Sequence, residues 1–138
     1  MRNPIITTSW DDGHPLDSKL SSLLLKNKIP GTFYIPLTNQ ENPVMNHEYI
    51  KNLSQNFEIG GHTLNHKVLT LLNDDEINYE ISKGKEELEK ICGEVNSFAY
   101  SVASNGSSSF LLPTVMMEPS RTFLLFSQRL YFTETPLG

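Results

Sequence analysis

Apolar positions along the first hundred residues alternate between two periods. The stretch "PIITTSW", beginning at Pro4, is short and β-branched and predicts a buried strand. From Leu16 to Lys26, leucines at 16, 20, 23, 24 and 25 have the spacing of an amphipathic helix. "IPGTFYIP" follows, with Pro30-Gly31 as a turn before a second strand. "MNHEYIKNLSQ" predicts a shorter helix capped by Asn46, and "NFEIGGH" a third strand that ends in a glycine pair. Asp74 to Cys92 predicts the longest helix. Asn73 or Asp74 caps it, acids fill its first turn, Ile77, Ile81, Leu88 and Ile91 form its apolar stripe, and Gly93 stops it. "VNSFAY" predicts a fourth strand. Strands alternating with helices over short links predict an α/β protein built on a parallel sheet or barrel.

The last 38 residues break this pattern. Residues 1–100 hold eight Lys, nine Ile and five Asp, whereas residues 101–138 hold none of the three, and serine takes seven positions there. This reads as a polar linker followed by an irregular tail. Two segments are therefore expected, 1–100 and 101–138. The 138 residues suffice for one ordinary domain. A net charge of −5 offers no basic face to nucleic acid. No apolar run approaches the ~20 residues that span a bilayer, and the N-terminal residues lack the apolar core of a signal peptide. The single cysteine, Cys92, forms no intrachain disulfide and is expected as a small buried helix residue. These features lead to the expectation of a cytoplasmic protein that engages neither nucleic acid nor membrane.

Candidate chemistry sits at two predicted strand ends. In "ITTSWDDGH", Asp11-Asp12-Gly13 suits an exposed turn. Its place after the first strand also suits a reactive site, because parallel α/β folds gather such groups at strand C-termini. In "GGHTLNH", His62 and His66 are four residues apart, so on a helical turn both imidazoles face one way. That spacing fits two ligands on one metal ion, and equally a pair of surface histidines. Taken together, the two strand ends would present two imidazoles and two carboxylates to a common mouth. A face of two histidines and one carboxylate leaves coordination positions open, and the second carboxylate is then placed to accept a proton. His14 is expected either to touch substrate or orient a ligand, or to be a plain turn residue. His47 is expected to be solvated. Trp10 and Tyr34 are expected in the core, although an aromatic at such a mouth can also stack on a bound ring.

At these residues the sequence resembles the polysaccharide deacetylases, the NodB-homology domain of carbohydrate esterase family 4. The family's T-F-D-D-G motif appears as Ser9-Trp10-Asp11-Asp12-Gly13, and its H-[ST]-x-x-H motif as His62-Thr63-Leu64-Asn65-His66. The "GTFYIP" strand and the long helix after the histidines match in order and spacing, so the resemblance covers residues 5–100. It implies a partial irregular (β/α) barrel. It also implies Asp11 as general base and Asp12, His62 and His66 as ligands of a divalent metal, most often zinc. The implied substrate is an N-acetylated carbohydrate. Thr63 is expected to brace the histidine turn through its hydroxyl, and Tyr100 to stand near substrate.

Beyond Tyr100 the family pattern fails. Phe98-Ala99-Tyr100 begins the third motif, but Ala99 stands where one form has arginine and Ser101 where proline is expected. No histidine follows His66, so the leucine-x-histidine that supplies the general acid has no counterpart. Met116-Met117-Glu118 must be coded ATG-ATG-GAR, which spells Asp-Gly one base earlier and resembles the family's continuation. The expectation is therefore a deacetylase domain truncated after residue 100, with a frame-shifted tail and impaired removal of N-acetyl groups from an amino sugar or polysaccharide. Two other readings are a non-catalytic metal- or sugar-binding remnant, and a metal hydrolase of a non-sugar amide.

Overall fold

The structure, a computed structural model, describes residues 7–101, 113–118 and 121–126. The elements in chain order are β1 (Thr8–Trp10), α1 (Asp17–Lys26), β2 (Gly31–Ile35), α2 (His47–Leu53), β3 (Glu58–Gly61), α3 (Asp74–Cys92), β4 (Ser97–Phe98), β5 (Pro113–Glu118) and β6 (Arg121–Phe126). The sheet order is β1-β2-β3-β4-β5-β6. The first four strands are parallel, with Trp10 opposite Phe33, Phe33 opposite Ile59, and Gly61 opposite Phe98. The expected α/β alternation is therefore present.

Local chemistry accounts for the helix ends. Asn46 accepts from the Tyr49 N–H at 2.8 Å and caps α2. Asn73 and Glu76 form a reciprocal capping box at the start of α3, which identifies Asn73 as the cap. Asp74, Asp75 and Glu76 complement the positive end of that helix, and Gly93, at φ +88°, ends it. Ion pairs among Lys83, Glu86, Glu87 and Lys90 lie on its exposed face and contribute little.

Alternation along β2 separates two environments. Phe33 and Ile35 join Leu24, Ile50, Leu53, Phe57, Ile59, Leu88 and Val95 in the core, with Phe33 and Phe57 edge to face at 5.2 Å. On the other face of the sheet, Glu58 accepts from Thr32 and from Ser97. Tyr34 is buried, as expected.

Three expectations need correction. The described part of the first strand is not buried: Ser9 and Trp10 are exposed, because among the described residues β1 is the sheet edge and has β2 alone beside it. Trp10 consequently lies outside the core, its indole N–H donating to Thr8 Oγ1 at 3.0 Å. Of the five leucines at and within α1, Leu24 alone is buried and Leu20 packs against the core, while Leu16, Leu23 and Leu25 stay exposed, because five leucines cover a wider arc than one sheet face can bury. After Ser101, where no period was read, the backbone forms the antiparallel β5–β6 hairpin, and β5 pairs with β4. A hairpin needs only local pairing, and this one includes the β-favouring residues Thr114, Val115, Thr122 and Phe123. Residues 102–112 and 127–138 lie outside the described residues.

Cys92 is half-buried on α3, with Sγ donating to the Leu88 carbonyl, and burial pushes its thiol pKa up. Among the described residues, no helix is long and apolar enough to cross a membrane.

Candidate metal centre

Parallel pairing brings the C-terminal ends of β1, β3 and β4 to one edge of the sheet. Asp11 and Asp12 follow β1, His62 follows β3, and Ala99 follows β4. Asp12 Oδ1 lies 2.9 Å from His66 Nε2 and 3.4 Å from His62 Nε2. The imidazole centroids are 5.1 Å apart, and one ligand atom from each of Asp12, His62 and His66 falls within 4.8 Å of the others. Both histidines and one of the two expected carboxylates therefore converge.

The donor chemistry fits a cation. His62 is 2% exposed and its Nδ1 lies 2.9 Å from the Ala99 carbonyl. A carbonyl only accepts, so Nδ1 carries the proton and Nε2 turns toward Asp12. With Nδ1 so occupied, Nε2 donates to Asp12 when the ring is protonated and turns a lone pair to the same place when it is not, where a metal ion between them takes it up. The hydrogen bond to His62 holds the Asp12 carboxyl below the usual carboxylate range, with the charges of both histidines adding and burial opposing. Asp12 is thus anionic, as a ligand must be.

The backbone is fixed in unusual conformations here. Among the described residues, four non-glycine positions have positive φ, and Asp12 (74°), Thr63 (67°) and His66 (54°) are three of them. Such conformations persist where the surroundings over-determine them. Gly13, at φ +58°, continues the Asp12 turn, and a Cβ there would meet Ile35 Cγ2 at 2.7 Å.

The other expected residues are placed as follows. Asp11 is exposed beside Asp12. It is close enough that its charge, with that of Glu58, helps burial push the Tyr34 pKa up, against a hydrogen bond to Ser97. His14 follows the Asp12-Gly13 turn, and its Nδ1 accepts from the Leu16 N–H at 3.1 Å. Tyr100 packs edge to face on Phe98 at 5.5 Å, and His47 is exposed at the start of α2. Thr63 is 1% exposed, but its hydroxyl has no hydrogen-bond partner among the described residues, so it does not brace the histidine turn.

That support comes from residues the sequence reading passed over. Glu80 on α3 accepts two hydrogen bonds from Asn65, Gly84 lets α3 approach the turn backbone closely, and the buried Ser101 hydroxyl donates to the Lys67 carbonyl. A signal for Glu80 existed: it is an acid on the stripe that buries Gly84 and Leu88. Asp17 was also passed over. Burial, reinforced by the charge of Asp12 and opposed by His14, pushes its carboxyl up to about 6. Its ionisation therefore opposes folding, with the effect growing from the ordinary value of 3.8 and complete above about 6.

The family model for polysaccharide deacetylases matches residues 1–110. The chain belongs to this family. No curated protein matches it. Among solved structures, PdaA of Bacillus subtilis, a family 4 carbohydrate esterase, is 26% identical with a TM-score of 0.56, over 68% of this chain and 40% of its own. The Bc1960 peptidoglycan N-acetylglucosamine deacetylase is 26% identical with a TM-score of 0.58, over 68% and 44%. A family 4 carbohydrate esterase from Bacillus anthracis shares the fold at 21% identity and a TM-score of 0.59, over 69% and 47%. The chain spans less than half the length of each of these deacetylase-family structures. Its parallel strands and helices are a partial (β/α) barrel of the family's type, as the motifs implied.

Proposed function

We propose that the chain carries the metal and base side of a deacetylase site acting on an N-acetylated amino sugar or polysaccharide. The observation that carries this reading is the convergence of Asp12, His62 and His66 beside a second, exposed carboxylate, Asp11. Asp12 and the Nε2 atoms of both histidines would hold a divalent ion, and zinc best suits two imidazoles and a carboxylate. When bound, that ion supplies Lewis-acid polarisation of the N-acetyl carbonyl. Asp11 takes a proton from the attacking water. The Ala99 carbonyl keeps His62 in the tautomer that turns Nε2 toward Asp12. Trp10 and Tyr100 are the aromatics we assign to the sugar ring. Support for the substrate class comes from Bc1960, a peptidoglycan N-acetylglucosamine deacetylase.

The test is acetate release from N-acetylglucosamine oligomers and from small N-acetyl amides by the zinc-loaded chain. Slow release from the oligomers is expected, because no histidine follows His66 to protonate the leaving amine; chelation should stop it and Asp11→Asn lower it about 10²–10⁴-fold. Metal and sugar binding without acetate would instead identify a non-catalytic binding module. Faster release from small amides would identify a hydrolase of non-sugar amides.

A further inference from the structure

The turn between the two histidines is held from outside. Asn65, immediately before His66, donates its backbone N–H to Glu80 Oε2 at 2.9 Å and its Nδ2 to Glu80 Oε1 at 2.8 Å. Both oxygens of one carboxylate are thereby spent on one residue. Asn65 Oδ1 accepts from Thr38 Oγ1 at 2.9 Å, and the Leu64 carbonyl accepts from the N–H groups of Leu37 and Thr38, each at 3.0 Å. Glu80 is 2% exposed, and its one cationic neighbour among the described residues is Lys67 Nζ, 3.5 Å from Oε1.

Burying a carboxylate in this way is expensive. Desolvation opposes it, and a well-packed apolar side chain at such a position is often as stabilising or more so. What the carboxylate adds is direction: two charge-assisted hydrogen bonds fix both the backbone and the side chain of Asn65. The turn needs such fixing, because Thr63 and His66 both adopt positive φ and the Thr63 hydroxyl supplies no brace.

We propose that Glu80 is a positioning residue of the metal centre, clamping Asn65 so that His62 and His66 both present Nε2 to Asp12. This rests on the reading of Asp12, His62 and His66 as metal ligands. Glu80 does not touch the metal; it acts through Asn65, as outer residues tune ligands elsewhere.

The experiment is a mutant cycle on the full chain: wild type, Glu80→Gln, Asn65→Asp and the pair. Zinc affinity is read by chelator competition, cobalt coordination by its visible absorption, and folding by thermal melting. Glu80→Gln sets a donor against the Asn65 amide, and Asn65→Asp sets an acceptor against Glu80. The pair exchanges donor and acceptor, so both bonds return, and the residue at 65 still accepts from Thr38. Each single change is expected to lower affinity about 10–100-fold and alter the cobalt spectrum, and the pair to recover to within about threefold of wild type. Ile50→Val, in the core away from the turn, should lower the melting temperature with the cobalt spectrum unchanged. Unchanged affinity and spectrum in both single variants would overturn the clamp, as would an equal spectral change in Ile50→Val. Should a single variant fail to fold, recovery of folding and metal binding in the pair supports the clamp, and a pair that binds no metal overturns it. A wild type that binds neither zinc nor cobalt would overturn the ligand assignment itself, and the clamp with it.

Discussion

Replacing His62 with alanine is expected to lower zinc affinity by about two to three orders of magnitude. A zinc ion on four protein ligands gains ~10–16 kcal/mol, so one ligand accounts for roughly 2.5–4 kcal/mol, or about 10²–10³ in affinity. His62 should lie toward the upper end. It is 2% exposed and its Nδ1 is fixed on the Ala99 carbonyl, so it is already oriented before metal arrives. Its removal also leaves that carbonyl without its donor. Chelator competition on the folded variant checks the expectation, and affinity within a few-fold of wild type would exclude His62 from the ligand set.

Gly84→Ala is expected to destabilise the fold by up to about 2 kcal/mol, although alanine is the better helix former. Propensity alone favours the substitution by ~1 kcal/mol. Overpacking opposes it by ~1–3 kcal/mol. Geometry decides between them: an added Cβ lies 2.9 Å from Leu64 N and 2.9 Å from Thr63 C. Both are backbone atoms of the histidine turn, so no side-chain rotation relieves the contact. Either α3 or the turn must shift, and a shift of the turn displaces His62 and His66. A fall in melting temperature of ~4–8 °C per kcal/mol is expected, together with weaker zinc binding. A higher melting temperature with zinc affinity intact would show that α3 sits further from the turn than described.

The sequence made the alternation of β1–β4 with α1–α3 legible, because strand and helix periods differ and Asn46, Asn73 and Gly93 punctuate the helices. Two of its motifs, at residues 9–13 and 62–66, also carried the family. Burial was less legible. Leu16, Leu23 and Leu25 share the amphipathic spacing of α1 and yet are exposed, since a stripe on a helix does not state how much of it a neighbour covers. Trp10 read as core and lies on an edge strand, a position set by strand order rather than by local pattern. The brace of the histidine turn fell to Glu80 rather than Thr63 because a hydroxyl needs an acceptor within reach, and which groups come within reach is a tertiary fact. The β5–β6 pairing was hidden for a related reason: no apolar period marked the segment, and pairing with β4 organises its backbone.

The central claim is that two adjacent carboxylates have different tasks, Asp12 holding the metal and Asp11 taking the proton. Asp12 Oδ1 lies 2.9 Å and 3.4 Å from the two imidazoles, and Asp11 is not among the three converging donors. The most direct test is zinc stoichiometry by native mass spectrometry after loading and desalting, on the wild type, Asp11→Asn and Asp12→Asn. The account predicts one zinc per chain in the wild type and in Asp11→Asn, and little or none in Asp12→Asn. Zinc retained by Asp12→Asn, or lost equally from both variants, would contradict it.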